Sequence, residues 1–560
     1  MLRNNEYYDM QPVFDKLYRQ SLSGKTFNKL LEIITSENNI LLAYGNLKQN
    51  KGSKTSGVDK LNIMSVNATD TKVLVEKVRR RFNNYQPQKV RRVEIPKDDG
   101  SGRTRPLGIP TIADRLIQQC ILQVLVPICE ARFSDNSYGF RPNRSCEHAI
   151  AKAQACMQLK NLHYCVDIDI KRFFDNVNHG KLLKQMWTLG IQDKNLLCII
   201  SKILNSEIIL PDGKIIKSTK GTPQGGIISP LLSNIVLNEL DRWVESQWST
   251  NDLMLKTPQF NSNGGRNRGN ECKRMRKWTK LKGMSIVRYA DDFKIFTTDY
   301  KTAKKIFEAV KIWFKDRLDL DISPEKSTIT NLKKDYTVFL GFKLKVHLKG
   351  KKFVVQSHMS DKAIKNVTRN LKEQVKKIQH SKSGNRELWL YNSKVIGYHN
   401  YYKIATNCNL DFDRIAFVVS GAIISRLDPK RTGTAKGYIN EKYGDSKTLR
   451  FINGTAMVPI GYIQTKNAID KKRVVNDYTL EGRAEIHKTL SGVNIEILHY
   501  LMENTNANER VEYYNNRIAL YSGQSGNCYI TGEPLEIGNI HCHHRIPYAR
   551  SRDDNTVILF

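Results

Sequence analysis

Two short stretches of this sequence put carboxylates where metal chemistry could use them. The first is YCVDIDIKRFFD, Tyr164 to Asp175. In it Val166, Ile168 and Ile170 alternate with Cys165, Asp167 and Asp169, the period of a strand, so Asp167 and Asp169 share one face. The second is SIVRYADDFKIF, Ser285 to Phe296, where apolar β-formers flank Ala290, Asp291 and Asp292 and predict a hairpin with carboxylates at its tip. One carboxylate on a strand, facing a pair on a tight turn, suits two Mg²⁺ ions about 3.5–4 Å apart that activate a 3′ hydroxyl and stabilise a leaving pyrophosphate. Mg²⁺ is hard, takes oxygen ligands, and keeps water and phosphate in its shell. Asp favours turns, so a YADD string alone signifies little; its pairing with the first stretch carries the reading.

The chain has ample length to hold such groups in place. Its 560 residues correspond to about four domains of roughly 150 residues. Apolar residues are 40% and charged residues 26%, a globular mix. With 90 Lys and Arg against 55 Asp and Glu the formal charge is +35, which fits a long polyanion better than a small acidic metabolite. The 10 cysteines are scattered without a CxxC pair, which argues against a disulfide scaffold and for a reducing compartment. No signal-type h-region follows the N-terminus, and no apolar run approaches the roughly 18 residues that cross a bilayer, so no membrane role is expected.

Residues 1–90 read as mostly helical and polar, and 91–345 as alternating strands and helices. The Gly- and Asn-rich run from Thr257 to Asn270, followed by the basic run Lys273 to Lys282, predicts a surface insertion loop. Over 361–380 the pattern predicts an amphipathic helix. Lys362, Lys365, Arg369, Lys372 and Lys376 form one stripe, with Ile364, Val367, Leu371, Val375 and Ile378 beside it. No acid interrupts the basic stripe, which favours phosphate contact over mere solvation. A second, aromatic-rich helix is expected over Leu388–Tyr402, read as core.

Further blocks give the chain a resemblance. IPKDDGSGRTRPLGIPTIADRLIQQ (Ile95–Gln119), YGFRPNRSC (Tyr138–Cys146), VDIDIKRFFDNVNH (Val166–His179), GTPQGGIISPLLSNIVLNELD (Gly221–Asp241), RYADDF (Arg288–Phe293), SPEKS (Ser323–Ser327) and FLGF (Phe339–Phe342) occur in that order. Together they resemble group II intron-encoded reverse transcriptases, or maturases, over about residues 45–405. The resemblance implies an α+β right-hand polymerase of fingers and palm, an α-helical thumb, then small DNA-binding and HNH-like regions. The corresponding boundaries are an extension and start of fingers in 1–90, fingers and palm in 91–345 with an insertion near 250–283, a thumb in 346–430, a DNA-binding region in 431–515, and a truncated HNH endonuclease-like module in 516–560.

Residue roles follow from the same resemblance. Asp169, Asp291 and Asp292 match the catalytic, metal-binding triad, with Asp167 a structural neighbour. Lys97, Arg105, Gln224 and Lys326 match or neighbour residues that meet the incoming dNTP. Phe173 and Phe174 include a steric gate against a 2′-OH, either ring being eligible, which favours dNTPs over rNTPs. Phe339–Phe342 resembles a primer grip. In the tail Cys528, His543, His544 and Asn555 match HNH positions, His544 as general base. There Thr531 replaces the CxxC partner of Cys528, and the sequence stops at Phe560 before a final His, so an incomplete module is expected. The implied cofactor is Mg²⁺ in a two-metal site, with Zn²⁺ or another divalent ion conceivable in the tail. The implied partners are group II intron RNA, target DNA and dNTPs, with room for a homodimer, in bacterial cytoplasm at the nucleoid or in an organelle. The competing readings are a reverse transcriptase domesticated for defence and a splicing-only RNA-binding protein; intact carboxylates count against the second.

Overall fold

The computed structural model describes residues 2–67, 69–96, 102–223, 225–252, 258–265, 267–381, 385–488, 494, 496–497, 500–501, 517, 520–538, 540–544 and 557–559. In chain order the strands of its centre are β1 (Val90–Pro96), β2 (Thr104–Ile109), β3 (Tyr164–Ile168), β4 (Glu207–Ile209), β5 (Ile215–Lys217), β6 (Met284–Tyr289), β7 (Asp292–Thr297), β8 (Thr328–Asn331), β9 (Thr337–Phe339), β10 (Phe342–Lys349) and β11 (Lys352–Met359). They form sheets ordered β6-β7-β3-β8, β2-β1-β4-β5 and β11-β10-β9. The first is antiparallel throughout and carries both carboxylate stretches.

In that sheet β3, β6 and β7 are buried on both faces, which is why they are rich in apolar residues, whereas β8 at the edge is not. Val166, Ile168, Ile286, Phe293 and Ile295 point into one core, built with the helices Gln11–Leu22, Glu37–Lys48, Ile112–Glu130 and Ser229–Ser246. Cys165, Val287 and Phe296 point into the other, shared with β9–β11 and the helices Cys146–Gln158, Asp361–His380, Asn385–Tyr402 and Cys408–Leu427. The period of two thus divides each strand between two cores.

Residues 1–90 are helical as expected, but their polarity is only an average. Phe14, Leu17, Ile40 and Leu42 are buried and floor the first core against Ile112–Glu130. That helix is long and apolar enough to cross a membrane by length and composition, with 83% of its most apolar window buried inside the protein. The amphipathic helix forms over Asp361–His380, capped by the Ser360 side chain, and the next starts at Asn385. In that second helix Leu388, Tyr391 and Val395 are core, whereas Trp389 is 66% exposed.

Two features depart from the expectations, and a third answers to none of them. The insertion is not loop to Asn270: a helix runs over Arg268–Trp278, its first turn capped by the Asn267 side chain. The β10–β11 hairpin spans positions 345 and 346, so the chain does not divide there. Residues 450–457 form a small hairpin, tied to the preceding bundle where Asn392 holds the Ala456 carbonyl and the Val458 amide. The chain then runs back as a strap to the N-terminal helices. The Ile469 amide donates to Glu147, Asn143 to Asp477, Asn476 to Tyr18, and Arg483 makes a forked pair with Asp15 at 2.8 and 2.9 Å.

Candidate active site

Asp169 stands just beyond the end of β3, and the SPEKS segment grips it. The Ser323 amide donates to its carbonyl at 2.8 Å, its own amide donates to Ser327 Oγ at 3.1 Å, and Lys326 Nζ lies 3.4 Å from its carboxylate. Across the sheet Ile168 pairs with Phe293, which sets Asp292 beside Asp169. Tyr289 pairs with Asp292, leaving Ala290 and Asp291 as the hairpin tip. The expected facing of one carboxylate and a pair is therefore present.

The electrostatics show how crowded these groups are. Burial pushes the Asp291 carboxyl above the usual carboxylate range, and Asp169 adds to this, while Arg105 and Arg288 oppose it. Asp292 is also raised, first by burial and then by Asp167 and Asp291, against the pull of Lys294. Lys294 is nearly fully buried between Asp167 at 2.5 Å and Asp292 at 3.4 Å. Lys294 stands on β7 two residues from Asp292 and reaches across to Asp167 on β3. Among the described residues no three His, Cys, Asp or Glu side chains already close a metal cage. The donors nonetheless fit a hard divalent cation: three neighbouring carboxylates, two of them disfavoured as anions by burial and by one another.

The segments expected to meet the incoming dNTP lie close by. Arg105 is exposed on β2, and its charge reaches Asp291. The GTPQGG loop is clamped between β2 and the double-Phe turn. The Thr222 amide donates to the Phe174 carbonyl and the Gly221 amide to the Val177 carbonyl, each at 2.7 Å. Gly225 has φ +106°, and a Cβ there would stand 2.2 Å from the Gly108 carbonyl oxygen, so only glycine fits. Lys97 and Gln224 themselves lie outside the described residues. Phe173 is 3% exposed and belongs to the first core, whereas Phe174 is only partly buried, packed edge-on against it at 5.3 Å. Phe339 and Phe342 are core; what the FLGF block presents is the Leu340–Gly341 turn, whose Leu340 carbonyl accepts from Tyr401.

Residues 95–344 match the family described as Reverse transcriptase (RNA-dependent DNA polymerase). Group II intron-encoded protein LtrA of Lactococcus lactis subsp. cremoris is 29% identical over 492 residues, 77% of this chain and 78% of its own. Protein YkfC of Escherichia coli K12 is 31% identical over 324 residues, 56% of this chain and 82% of its own. Nuclear intron maturase 2, mitochondrial, of Arabidopsis thaliana is 26% identical over 221 residues, 31% of this chain and 30% of its own. The chain belongs to the group II intron-encoded reverse transcriptases.

Elsewhere in this reverse transcriptase, Lys362, Lys365 and Lys376 are exposed and Arg369 and Lys372 half-buried along Asp361–His380, opposite buried Val367, Leu371 and Val375. The stripe is real as geometry. In the tail, Cys542–His544 pairs with Val557–Leu559, placing His543 opposite Ile558. The side chains of His543 and His544, and Asn555 altogether, lie outside the described residues. Cys528 accepts the Thr531 amide at 3.4 Å, and Thr531 lowers its thiol below the usual range.

Sequence reasoning missed several residues that build this site. Lys294 had a signal, a lysine inside the apolar β-run DFKIF. Ser323 and Ser327 lay in a quoted block, but only contacts show that they hold Asp169 at both its amide and its carbonyl.

Proposed function

We propose that this reverse transcriptase copies intron RNA into DNA at a cleaved target, by target-primed synthesis, and also assists splicing of that RNA as a maturase. The observation that carries the polymerase reading is Asp169 beside the Asp291–Asp292 tip, opposite Arg105. In this reading Asp169, Asp291 and Asp292 hold Mg²⁺. Bound Mg²⁺ supplies charge stabilisation at the transferred phosphoryl group and lowers the pKa of the attacking hydroxyl. Arg105, with Lys97 and Gln224, orients the triphosphate, guanidinium groups being suited to forked phosphate contacts. Lys326 adds positive charge beside Asp169, and Lys294 holds Asp292 in place. Phe174 lies under the sugar and refuses a 2′-OH. The helical bundle over 361–427 acts as the thumb, its basic stripe lying along RNA phosphates. Target DNA, the second macromolecular partner, suits the +35 charge. Work in a reducing, nucleic-acid-rich compartment is supported by nine free cysteines among the described residues.

The test is primer extension on intron RNA with the Asp291→Ala, Asp292→Ala double variant. Synthesis should vanish while RNA affinity stays at the wild-type value, since no phosphate contact is removed. Continued extension by the double variant would move the polymerase site elsewhere.

A further inference from the structure

The hairpin tip that carries Asp291 is itself unusual in its backbone. Ala290 sits at φ +58°, a left-handed conformation that an L side chain keeps only when its surroundings hold it there. The group that holds it is Arg288. This guanidinium is fully buried. Its Nε donates to both oxygens of Asp241 at 2.9 and 3.0 Å, and Nη2 donates to Asp241 at 2.6 Å. Its Nη1 donates to Asn234 Oδ1 and to the Ala290 carbonyl, both at 2.9 Å.

The acceptors are equally buried: Asp241 is 0% and Asn234 1% exposed. They are spaced two turns apart on the helix Ser229–Ser246, so one face presents both. The remaining side of the tip is closed by the YGFRP segment. Asn234 Nδ2 donates to the Gly139 carbonyl at 2.9 Å, and the Arg288 backbone pairs with Asn136 and Tyr138. A Cβ on Gly139 would stand 2.3 Å from the Ala290 nitrogen. The segment can approach this closely only because residue 139 has no side chain.

A buried ion pair is seldom worth more than well-packed apolar residues of the same volume. Here the guanidinium spends its outer donor on a turn carbonyl, a contact that the pairing with Asp241 does not require. We infer that Arg288, Asp241, Asn234 and Gly139 are positioning residues that fix the Ala290–Asp291 turn and thereby the placement of Asp291 and Asp292 relative to Asp169. The inference rests on the metal-site reading of those carboxylates. Lysine cannot replace arginine in this role, because a single ammonium cannot reach Asp241, Asn234 and the turn together in a planar fork.

The test uses the full chain and the variants Arg288→Lys, Asn234→Ala and Gly139→Ala. Asn234→Ala leaves the Arg288–Asp241 pair intact and so separates positioning from the cost of an unpaired buried charge. Two readouts are taken. Hydrogen exchange on peptides covering 288–293, without metal, should be about tenfold faster in folded variants than in wild type. In primer extension, kcat should fall about 10- to 100-fold and the Mg²⁺ concentration at half-maximal rate should rise about tenfold. KM for dNTP should stay within about twofold, because no triphosphate contact is lost. Folded variants with wild-type exchange at 288–293 and wild-type Mg²⁺ dependence would overturn the inference. So would loss of folding in all three variants, which would make the network purely structural. Exchange faster as expected, but with Asp291→Ala, Asp292→Ala still extending primers, would instead overturn the metal-site reading.

Discussion

Phe173 and Phe174 sit side by side in the sequence and have opposite fates. Phe173 is 3% exposed in the core, so Phe173→Ala removes packing and should cost about 3–5 kcal/mol of stability, read by urea denaturation. Phe174 is only partly buried, so Phe174→Ala should fold normally and admit rNTPs, read as rNTP incorporation on an RNA template. A destabilised but still dNTP-selective Phe173→Ala beside a stable but permissive Phe174→Ala is the expected pattern; the reverse would exchange the assignments. The two rings were indistinguishable in the sequence because adjacent residues at a strand-to-helix turn share every local signal. Only the packing around residue 173 separates them. The Asp167–Asp169 strand face and the Asp291–Asp292 tip were legible because a strand and a hairpin dictate their own geometry, while the choice of Asp169 over Asp167 came from the resemblance. Arg288 was not, because Asp241 and Asn234 come from a distant helix, and Lys294 showed only as a lysine in an apolar run, its partner Asp167 being on another strand.

At the scale of elements, the helix Asp361–His380 tests whether a basic stripe meets RNA. Neutralising Lys365, Arg369 and Lys372 together should weaken intron RNA binding and flatten log affinity against log salt by roughly two units. Binding isotherms across a salt series measure this, and an unchanged slope would leave the stripe as a solvated face. The neighbouring helix Asn385–Tyr402 carries a pH effect. His399 is buried, with Nδ1 against the Tyr443 hydroxyl and Nε2 against the Ile460 carbonyl, and burial lowers it to about 4. An unfolded histidine titrates near 6.5, so only the unfolded chain gains a proton between that pH and about 4. The associated stability is present in full above pH 6.5 and is lost as pH falls toward 4, up to about 3 kcal/mol. His399→Gln, which keeps a donor for Ile460, should show a shallower decline of Tm from pH 7 to about 4.5 than wild type. Both helices were legible, the first from its periodicity and the second from its aromatic-rich run. The helix Arg268–Trp278 was not, since its first residues follow a Gly- and Asn-rich run that reads as loop.

For the molecule as a whole, the strap over residues 461–483 joins the C-terminal bundle to the N-terminal layer. Tyr478 is buried in the first core and stacks on Tyr18 at 5.3 Å, and Arg483 forks onto Asp15. Tyr478→Ala with Arg483→Ala should release this end. Trypsin should then cut between Lys466 and Arg473 first, seen by fragment mass, whereas the wild-type strap resists; identical cleavage patterns would show that the strap is not held by these contacts. No local pattern announced this element: up to Thr479, where the helix Leu480–His487 begins, it is irregular and polar, and its order comes from tertiary contact. The same holds for the junction near residue 345, where a hairpin runs through the boundary that the resemblance implied.

The sheet order β6-β7-β3-β8 also sets a timetable. Strand β3, central in the sheet, is made before either of the strands that flank it, and its neighbours at Asp292–Thr297 and Thr328–Asn331 come much later. At about 5–20 residues per second, β3 leaves the ribosome and waits on the order of ten seconds with both edges bare. During synthesis the segment YCVDI is thus an apolar, unpaired strand. It is where a nascent-chain chaperone should bind, and where a slow codon downstream would do the most harm.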